Sequence, residues 1–385
     1  MSMHIAPVRI FLLASLLLSV PDADANSEPA NSEPKIVASG LEIPWAIDFA
    51  PDGRIFVTER PGRVRVIEDG TLQETPWATL PVANWRAAGL GGIAIDPDFE
   101  HNGFVYVVAT MRVGNDGFEN RIYRFIDRDG VGTGQTLILG GLQSIDTHAG
   151  GAFAFGPDGK LYLAMGDGER IEEVQDLAST TGKVLRLNAD GSIPDDGPIA
   201  GSAVFALGVR NPQGFAWHPD TGELFATEHG PSGFPEEGGR EDQDELNLIS
   251  PGGNYGWPEA SGLGDDGRFV APLVEWTPAI APSGLAVVTD EGSPCYGSFF
   301  VGALRGQQLR HVELELDAQK QWRVTADTPL FERQYGRLRA AKIGPDGYLY
   351  FTTSNRNTPG EPLRDLARDG DDTIYRVSLE TYCKA

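Results

Sequence analysis

Residues 156–163 read Gly156-Pro157-Asp158-Gly159-Lys160-Leu161-Tyr162-Leu163. Proline presets φ, aspartate bonds back to the backbone and glycine accepts positive φ, so Pro-Asp-Gly is a tight turn. The β-rich run behind it makes the turn the hinge of a hairpin. The phrase recurs as Ala50-Pro51-Asp52-Gly53 before Arg54-Ile55-Phe56-Val57, and as Gly344-Pro345-Asp346-Gly347 before Tyr348-Leu349-Tyr350-Phe351. Looser copies are Asp96-Pro97-Asp98-Phe99 before Phe104-Val105-Tyr106-Val107, and His218-Pro219-Asp220 before Glu223-Leu224-Phe225-Ala226.

The turn prolines at 51, 97, 157, 219 and 345 are 46, 60, 62 and 126 residues apart, the last gap being about two periods. A degenerate copy fits between them, Ala281-Pro282-Ser283-Gly284-Leu285-Ala286-Val287-Val288 followed by Thr289-Asp290-Glu291-Gly292. Each of six units holds four strands, as in 45–49, 54–59, 63–67 and 71–80 of the first, and helical periodicity is nearly absent. The pattern predicts an all-β, six-bladed β-propeller of four-stranded blades. A pair of β-sandwiches would explain the turns but not the period. The last unit, ending at Asp372-Thr373-Ile374-Tyr375-Arg376-Val377, is one strand short, and Lys35-Ile36-Val37-Ala38 is expected to complete it and close the ring.

Composition agrees with a globular chain: 385 residues, 41% hydrophobic and 22% charged, with 48 Gly and 27 Pro for the turns. A net charge of −24 repels nucleic acid and anionic lipid, so neither is expected as a partner. Any basic cluster inside such a chain stands out.

Arg9 precedes an apolar run, Ile10 to Val20, too short to span a bilayer, and Ala23-Asp24-Ala25 follows it. Residues 1–25 therefore read as a secretory signal peptide and 26–38 as a tether leading into the closing strand. Residues 39–379 form the propeller and 380–385 a tail. The expected mature protein is periplasmic or secreted, without a membrane span, and a monomer or homodimer. Cys295 and Cys383 are too few for a disulfide scaffold; one disulfide and two buried thiols both remain open.

In a propeller the first strand of each blade lines the central channel, so residues just before it meet at one mouth. His148 lies nine positions before Pro157, and Arg210 nine before Pro219, followed by Asn211 and Gln213. Arg337 and Arg339 lie eight and six before Pro345. A convergence of arginines inside an acidic protein predicts an anionic ligand gripped by guanidinium groups.

The segments Thr147-His148-Ala149-Gly150-Gly151, Gly166-Asp167-Gly168, Gly208-Val209-Arg210-Asn211-Pro212-Gln213-Gly214, Glu228-His229-Gly230-Pro231 and Gly252-Gly253-Asn254-Tyr255-Gly256-Trp257-Pro258 occur in this order. In them the chain resembles the soluble quinoprotein glucose dehydrogenases, and more closely their aldose sugar dehydrogenase branch, over about residues 39–379. The resemblance implies oxidation of the C1 hydroxyl of an aldose to a lactone, with pyrroloquinoline quinone (PQQ) and calcium as cofactors and a soluble or membrane-bound electron acceptor. It makes His148 the general base, Asp167 its orienting carboxylate and Arg210 the cation beside the quinone oxygen. Asn211, Gln213, Arg305, Arg337 and Arg339 become cofactor contacts. The backbone carbonyls of Gly230 and Pro231 become ligands of the catalytic calcium; Glu245, Tyr255 and Asp265 become ligands of a second, structural one.

Some positions depart from the family pattern. Ala87 and Ala279 stand where polar cofactor contacts are usual, and the loop from Pro231 to Glu245 is longer than in the glucose dehydrogenases. Trp257 and Trp276 are candidates to stack on sugar; His101, His218, His229 and His311 read as packed histidines. Two other functions compete. A calcium-dependent lactonase would want carboxylates and Asn at the channel centre, where this chain places cations. A non-catalytic exported binding module would need neither His148 with Asp167 nor converging arginines.

Overall fold

The computed structural model describes residues 33–114, 117–263, 267–356 and 369–383. The leader-like run, Asp265 and residues 384–385 lie outside the described residues.

Six antiparallel sheets follow one another along the chain. Blade 1 consists of Pro44–Phe49, Ile55–Glu59 and Arg63–Glu68, with its outer edge split into Thr71–Leu72 and Ala78–Thr79, both paired to the third strand. The expected single strand over 71–80 is broken there because Pro76 cannot donate to the ladder. Blade 2 is Leu90–Ile95, Phe104–Val113, Gly117–Arg128 and Val131–Ser144. Blade 3 is Phe153–Phe155, Leu161–Met165, Lys183–Leu187 and Val204–Leu207. Blade 4 is Pro212–Trp217, Leu224–Glu228, Asp244–Ile249 and Val274–Trp276. Blade 5 is Pro282–Val287, Phe299–Ala303, Gln308–Leu316 and Trp322–Leu330.

Blade 6 takes three strands from the end of the chain, Leu338–Ile343, Leu349–Thr353 and Ile374–Val377. Its fourth is Lys35–Ala38, with Lys35 opposite Arg376. The ring is thus closed by the N-terminal strand, as expected. Asp372 seals the junction by accepting the backbone N–H of Ile43 at 3.1 Å and of Asn355 at 2.6 Å.

The turns form for the reasons read from the sequence. The amide N–H of Gly53, Gly159 and Gly347 bonds back to the carbonyl of Ala50, Gly156 and Gly344, at 2.9–3.0 Å. Asp52, Asp158 and Asp346 each accept the N–H two residues on. The looser Asp96-Pro97-Asp98 copy instead opens a single helical turn, Phe99–Asn102.

Six apolar clusters hold the ring, one between each pair of neighbouring blades. Each blade therefore buries both faces, and this is why its middle strands are apolar at nearly every position rather than alternating. The inner strands crowd together around the axis. A Cβ on Gly284 would run into the backbone N of Ala341, so only glycine lets the inner strands of blades 5 and 6 approach this closely. Among the described residues no helix is long and apolar enough to cross a membrane. Cys295 and Cys383 form a disulfide that ties the first hairpin of blade 5 to the end of the chain. His218 packs against Trp322 at 4.6 Å and His311 stacks on Phe300 at 4.7 Å, as packed histidines do; His101 instead lies exposed beside Asp98.

Candidate active site

One mouth of the channel opens into a cavity of about 200 Å³. His148, Asn211, Gln213, Arg337 and Arg339 all line it, from the approaches to blades 3, 4 and 6. Counting back from the turns thus placed distant residues in one wall. The sequence reasoning missed Trp45, Arg60, Arg86 and His229, which share that wall. Arg60 sits in the turn between the second and third strands of blade 1 and Arg86 in the connection from blade 1 to blade 2, and neither place carries the Pro-Asp turn from which the register is counted. No carboxylate is among the described lining residues, so the wall is cationic.

His148 is the pivot. Its φ of 42° is in the left-handed region, uncommon outside glycine. A Cβ on residue 166 would overlap the carbonyl oxygen of His148, so Gly166 is what lets the two segments close. Asp167 then follows directly, and its Oδ1 meets Nδ1 of His148 at 2.8 Å. This leaves Nε2 as the second working nitrogen of the ring. Asp167 also accepts the backbone N–H of Glu169 at 3.1 Å and the indole N–H of Trp257 at 2.8 Å. Burial alone would raise the Asp167 carboxyl, but the hydrogen bond and charge of His148 and the charge of Arg210 outweigh it and hold it below the ordinary carboxylate range.

Arg210 lies behind this pair rather than in the open wall, and is almost fully buried. One terminal nitrogen is 3.2 Å from Nε2 of His148 and 3.0 Å from Oγ of Ser232. Glu237 accepts from Nε at 2.8 Å and from the same terminal nitrogen at 2.6 Å. Glu237 was not anticipated, because it lies inside an acidic, glycine-rich loop that reads as solvated surface. It is 3% exposed.

Trp257 does not stack on a ligand at the mouth. It is buried beneath the site, with Arg210 and Arg240 over its ring at 5.5 and 4.9 Å. Trp276 is on the outer strand of blade 4 and bonds to Asp327, so it too is removed from the mouth. The aromatic that faces the cavity is Trp45, under the guanidinium of Arg339 at 3.5 Å. Arg339 also donates to Gln213 at 3.2 Å and Ser283 at 3.3 Å, and Gln213 in turn donates to Asn211 at 2.9 Å. Burial, then the neighbouring charges of Arg337 and Arg60, disfavour the charge on Arg339. Its Nε is buried without a hydrogen-bond partner, as is Nε2 of His229. Burial and the surrounding cations push His229 down to about 3, so it is neutral.

Arg305 is not brought into the wall. Its side chain is 65% exposed and 3.6 Å from Asp242, while its neighbour Leu304 faces the cavity. Ala87 lines the cavity; Ala279 does not, its amide being held by Asp242 while Ala281 takes the lining position. The peptide of Gly230 is fixed by its N–H to Asp244 at 2.8 Å, and Pro231 is buried beside it. Glu245 and Tyr255 have separate partners. Glu245 accepts from Gly262 at 2.6 Å and Asn247 at 2.9 Å, and the Tyr255 hydroxyl donates to the carbonyl of Leu248. Among the described residues no three His, Cys, Asp or Glu side chains converge as a metal site.

The family model for glucose/sorbosone dehydrogenases matches residues 41–364. The chain is 30% identical over 369 residues to the aldose sugar dehydrogenase YliI of Escherichia coli, covering 89% of this chain and 94% of that protein. It is 32% identical over 282 residues to quinoprotein glucose dehydrogenase B of Acinetobacter calcoaceticus, covering 65% of this chain and 57% of that one. Among solved structures, the PQQ-bound aldose sugar dehydrogenase of Streptomyces coelicolor superposes with a TM-score of 0.76 at 33% identity, covering 90% of this chain and 98% of that one.

Proposed function

The chain belongs to the glucose/sorbosone dehydrogenase family, and from that premise we propose that it is a PQQ-dependent aldose sugar dehydrogenase, oxidising the C1 hydroxyl of a sugar to a lactone. The observation that carries the reading is the contact of Asp167, His148 and Arg210 at the edge of a cavity whose charged lining is all guanidinium.

PQQ is planar and bears carboxylates. The wall suits both properties: Arg60, Arg337 and Arg339 supply positive charge, and Trp45 supplies a flat face. The buried Nε of Arg339 and Nε2 of His229 are polar atoms with no protein partner. These residues, with Asn211 and Gln213, would hold the cofactor. When bound, it supplies the two-electron acceptor for hydride that no protein side chain can provide.

The chain's own residues do the rest. Asp167 fixes the proton of neutral His148 on Nδ1, which leaves Nε2 free of hydrogen and able to take the C1 hydroxyl proton. The same carboxylate then stabilises the imidazolium. Arg210, paired with Glu237, would set its guanidinium beside the acceptor oxygen, where negative charge grows as hydride arrives. The carbonyls of Gly230 and Pro231 would be the oxygens that hold a calcium ion, since carbonyl oxygens suit a hard cation. The disulfide supports an oxidising, exported location, in keeping with the leader-like run.

The test is to add PQQ and calcium to purified apoprotein and follow dye reduction with a panel of aldoses. Reduction is expected only with both cofactor and sugar. A protein fully loaded with PQQ that reduces no dye with any aldose contradicts the reading.

A further inference from the structure

The loop between Pro231 and Asp244 is the part of the site that its family resemblance leaves unexplained. It is exposed at Phe234 and Glu236 on either side of Pro235, yet Glu237 turns inward and is buried. One carboxylate oxygen of Glu237 takes two bonds from Arg210, at 2.8 and 2.6 Å. The other takes the backbone N–H of Ser232 at 2.7 Å and of Phe234 at 3.2 Å. Both oxygens are therefore committed, one to the loop and one to the guanidinium. Arg210 in turn reaches Nε2 of His148 at 3.2 Å. The groups run in a line: the Asp167 carboxylate, the His148 imidazole, the Arg210 guanidinium and the Glu237 carboxylate.

We propose that Glu237 is a positioning residue of the dehydrogenase site: its carboxylate holds the Arg210 guanidinium beside Nε2 of His148 and balances its charge there. The proposal rests on the dehydrogenase reading for its catalytic meaning. An unbalanced guanidinium in contact with Nε2 opposes protonation of that nitrogen, which is what a base must undergo. Glu237 removes most of that opposition and leaves Arg210 its geometry. The other charged or titratable groups around His148 are Asp167 beyond the second strand of blade 3, neutral His229 from blade 4, Arg60, Arg86, Arg337 and Arg339 in the cavity wall, and Glu228, which accepts the backbone N–H of Arg210 but does not reach its guanidinium in a hydrogen bond. Glu169 bonds to the adjacent Thr147, and Asp146 pairs with Arg86. None of these touches Arg210 as Glu237 does, so none substitutes for it.

A merely structural loop tether would affect stability and leave the His148 titration alone; Glu237→Gln removes the charge and keeps one acceptor oxygen, its amide nitrogen replacing the acceptor of either the guanidinium or the Ser232 and Phe234 N–H groups. The experiment therefore compares Glu237→Gln with Glu237→Asp and with the Arg210→Gln/Glu237→Gln double variant. His148 is followed by NMR titration of histidine-labelled apoprotein, with its signal assigned by His148→Asn. In Glu237→Gln the His148 midpoint is expected to fall by about one pH unit, as for loss of a nearby opposite charge. Glu237→Asp is expected to stay near the parent, and the double variant, which buries no unpaired charge, to return close to it. In turnover assays of the loaded enzyme, Glu237→Gln is expected to lower kcat about tenfold with little change in the sugar KM. A folded Glu237→Gln protein whose His148 midpoint equals the parent's overturns the proposal. If that variant does not fold, a double variant whose midpoint rises as far as that of Arg210→Gln alone overturns it. The titration needs neither PQQ nor sugar. A parent that oxidises no sugar thus removes the dehydrogenase reading, while the titration still decides the coupling of Glu237 to His148.

Discussion

Trp257 donates its indole N–H to Oδ2 of Asp167 at 2.8 Å, the oxygen that His148 does not use. The two residues are ninety positions apart in the chain. The Asn-Tyr-Gly-Trp segment after blade 4's third strand is thereby a support for the Asp167–His148 pair, delivered from the next blade. Removing the bond should loosen Asp167 and through it the tautomer of His148. Trp257→Phe is expected to lower kcat about tenfold, the usual cost of one hydrogen bond to a charged group, while sugar KM changes little. Steady-state kinetics of the loaded variant check this. A large rise in KM at unchanged kcat would instead indicate a sugar-stacking role.

The arginines of blade 6 differ in their surroundings. Arg339 lies over Trp45 and bonds to Gln213 and Ser283, whereas Arg337 precedes the strand and has its own N–H held by Asn355 at 2.8 Å. Replacing either by Ala should weaken PQQ binding by roughly ten- to a hundred-fold, the cost of one charged contact. Arg339→Ala should also lower the melting temperature of the apoprotein less than expected for a buried residue, because burial and two neighbouring cations already disfavour its charge. Cofactor titration by fluorescence and a thermal melt separate the two effects.

Gly166→Ala tests the backbone packing beneath the base. A methyl group at 166 overlaps the carbonyl of His148, and that contact is backbone, so no rotamer change relieves it. A loss of about 1–3 kcal/mol of stability is expected, the usual range for overpacking. Chemical denaturation measures it; an unchanged midpoint would show that residues 147–150 shift freely.

The ring closure carries a pH dependence. Burial is the main cause that raises Asp372 from 3.8 to about 6, against the backbone N–H groups it accepts. A carboxyl raised on folding binds protons more tightly when folded, so its contribution is fully present below about pH 4 and lost as pH rises through about 6. In Asp372→Asn this dependence should vanish. The difference in unfolding free energy between parent and variant should change by about 2–3 kcal/mol across that window, since each tenfold gain in proton affinity on folding is worth about 1.4 kcal/mol. Urea unfolding at pH 4, 5, 6 and 7 supplies the comparison, and a pH-independent difference would contradict it.

What could be read from the sequence was whatever the turns put in register. Pro157, Pro219 and Pro345 mark equivalent places in their blades, so counting back from each brought out His148, Arg210 and the pair Arg337 and Arg339. Side chains that reach the site through irregular connections carried no such signal. Arg60 lies in the turn between Glu59 and Arg63 of blade 1, Arg86 follows that blade's broken outer edge, and Glu237 sits among Gly238, Gly239 and exposed residues. Trp257 is a candidate for sugar stacking in the sequence and a buried support in the structure, because an aromatic beside a proline gives no hint of which face it covers. The pairing of Cys295 with Cys383, 88 residues apart, needed the ring to close before it could be seen.

The central claim is that His148 is the base. Its Nδ1 is committed to Asp167 and its Nε2 faces Arg210 at the cavity wall. General base catalysis contributes roughly 10²–10⁴-fold, because hydride cannot leave C1 cheaply while the hydroxyl keeps its proton. The decisive measurement is sugar-dependent turnover of His148→Asn after its PQQ content has been determined. Full cofactor loading with turnover lowered by about two orders of magnitude or more is the predicted result. Full loading with turnover at the parental rate would contradict the account.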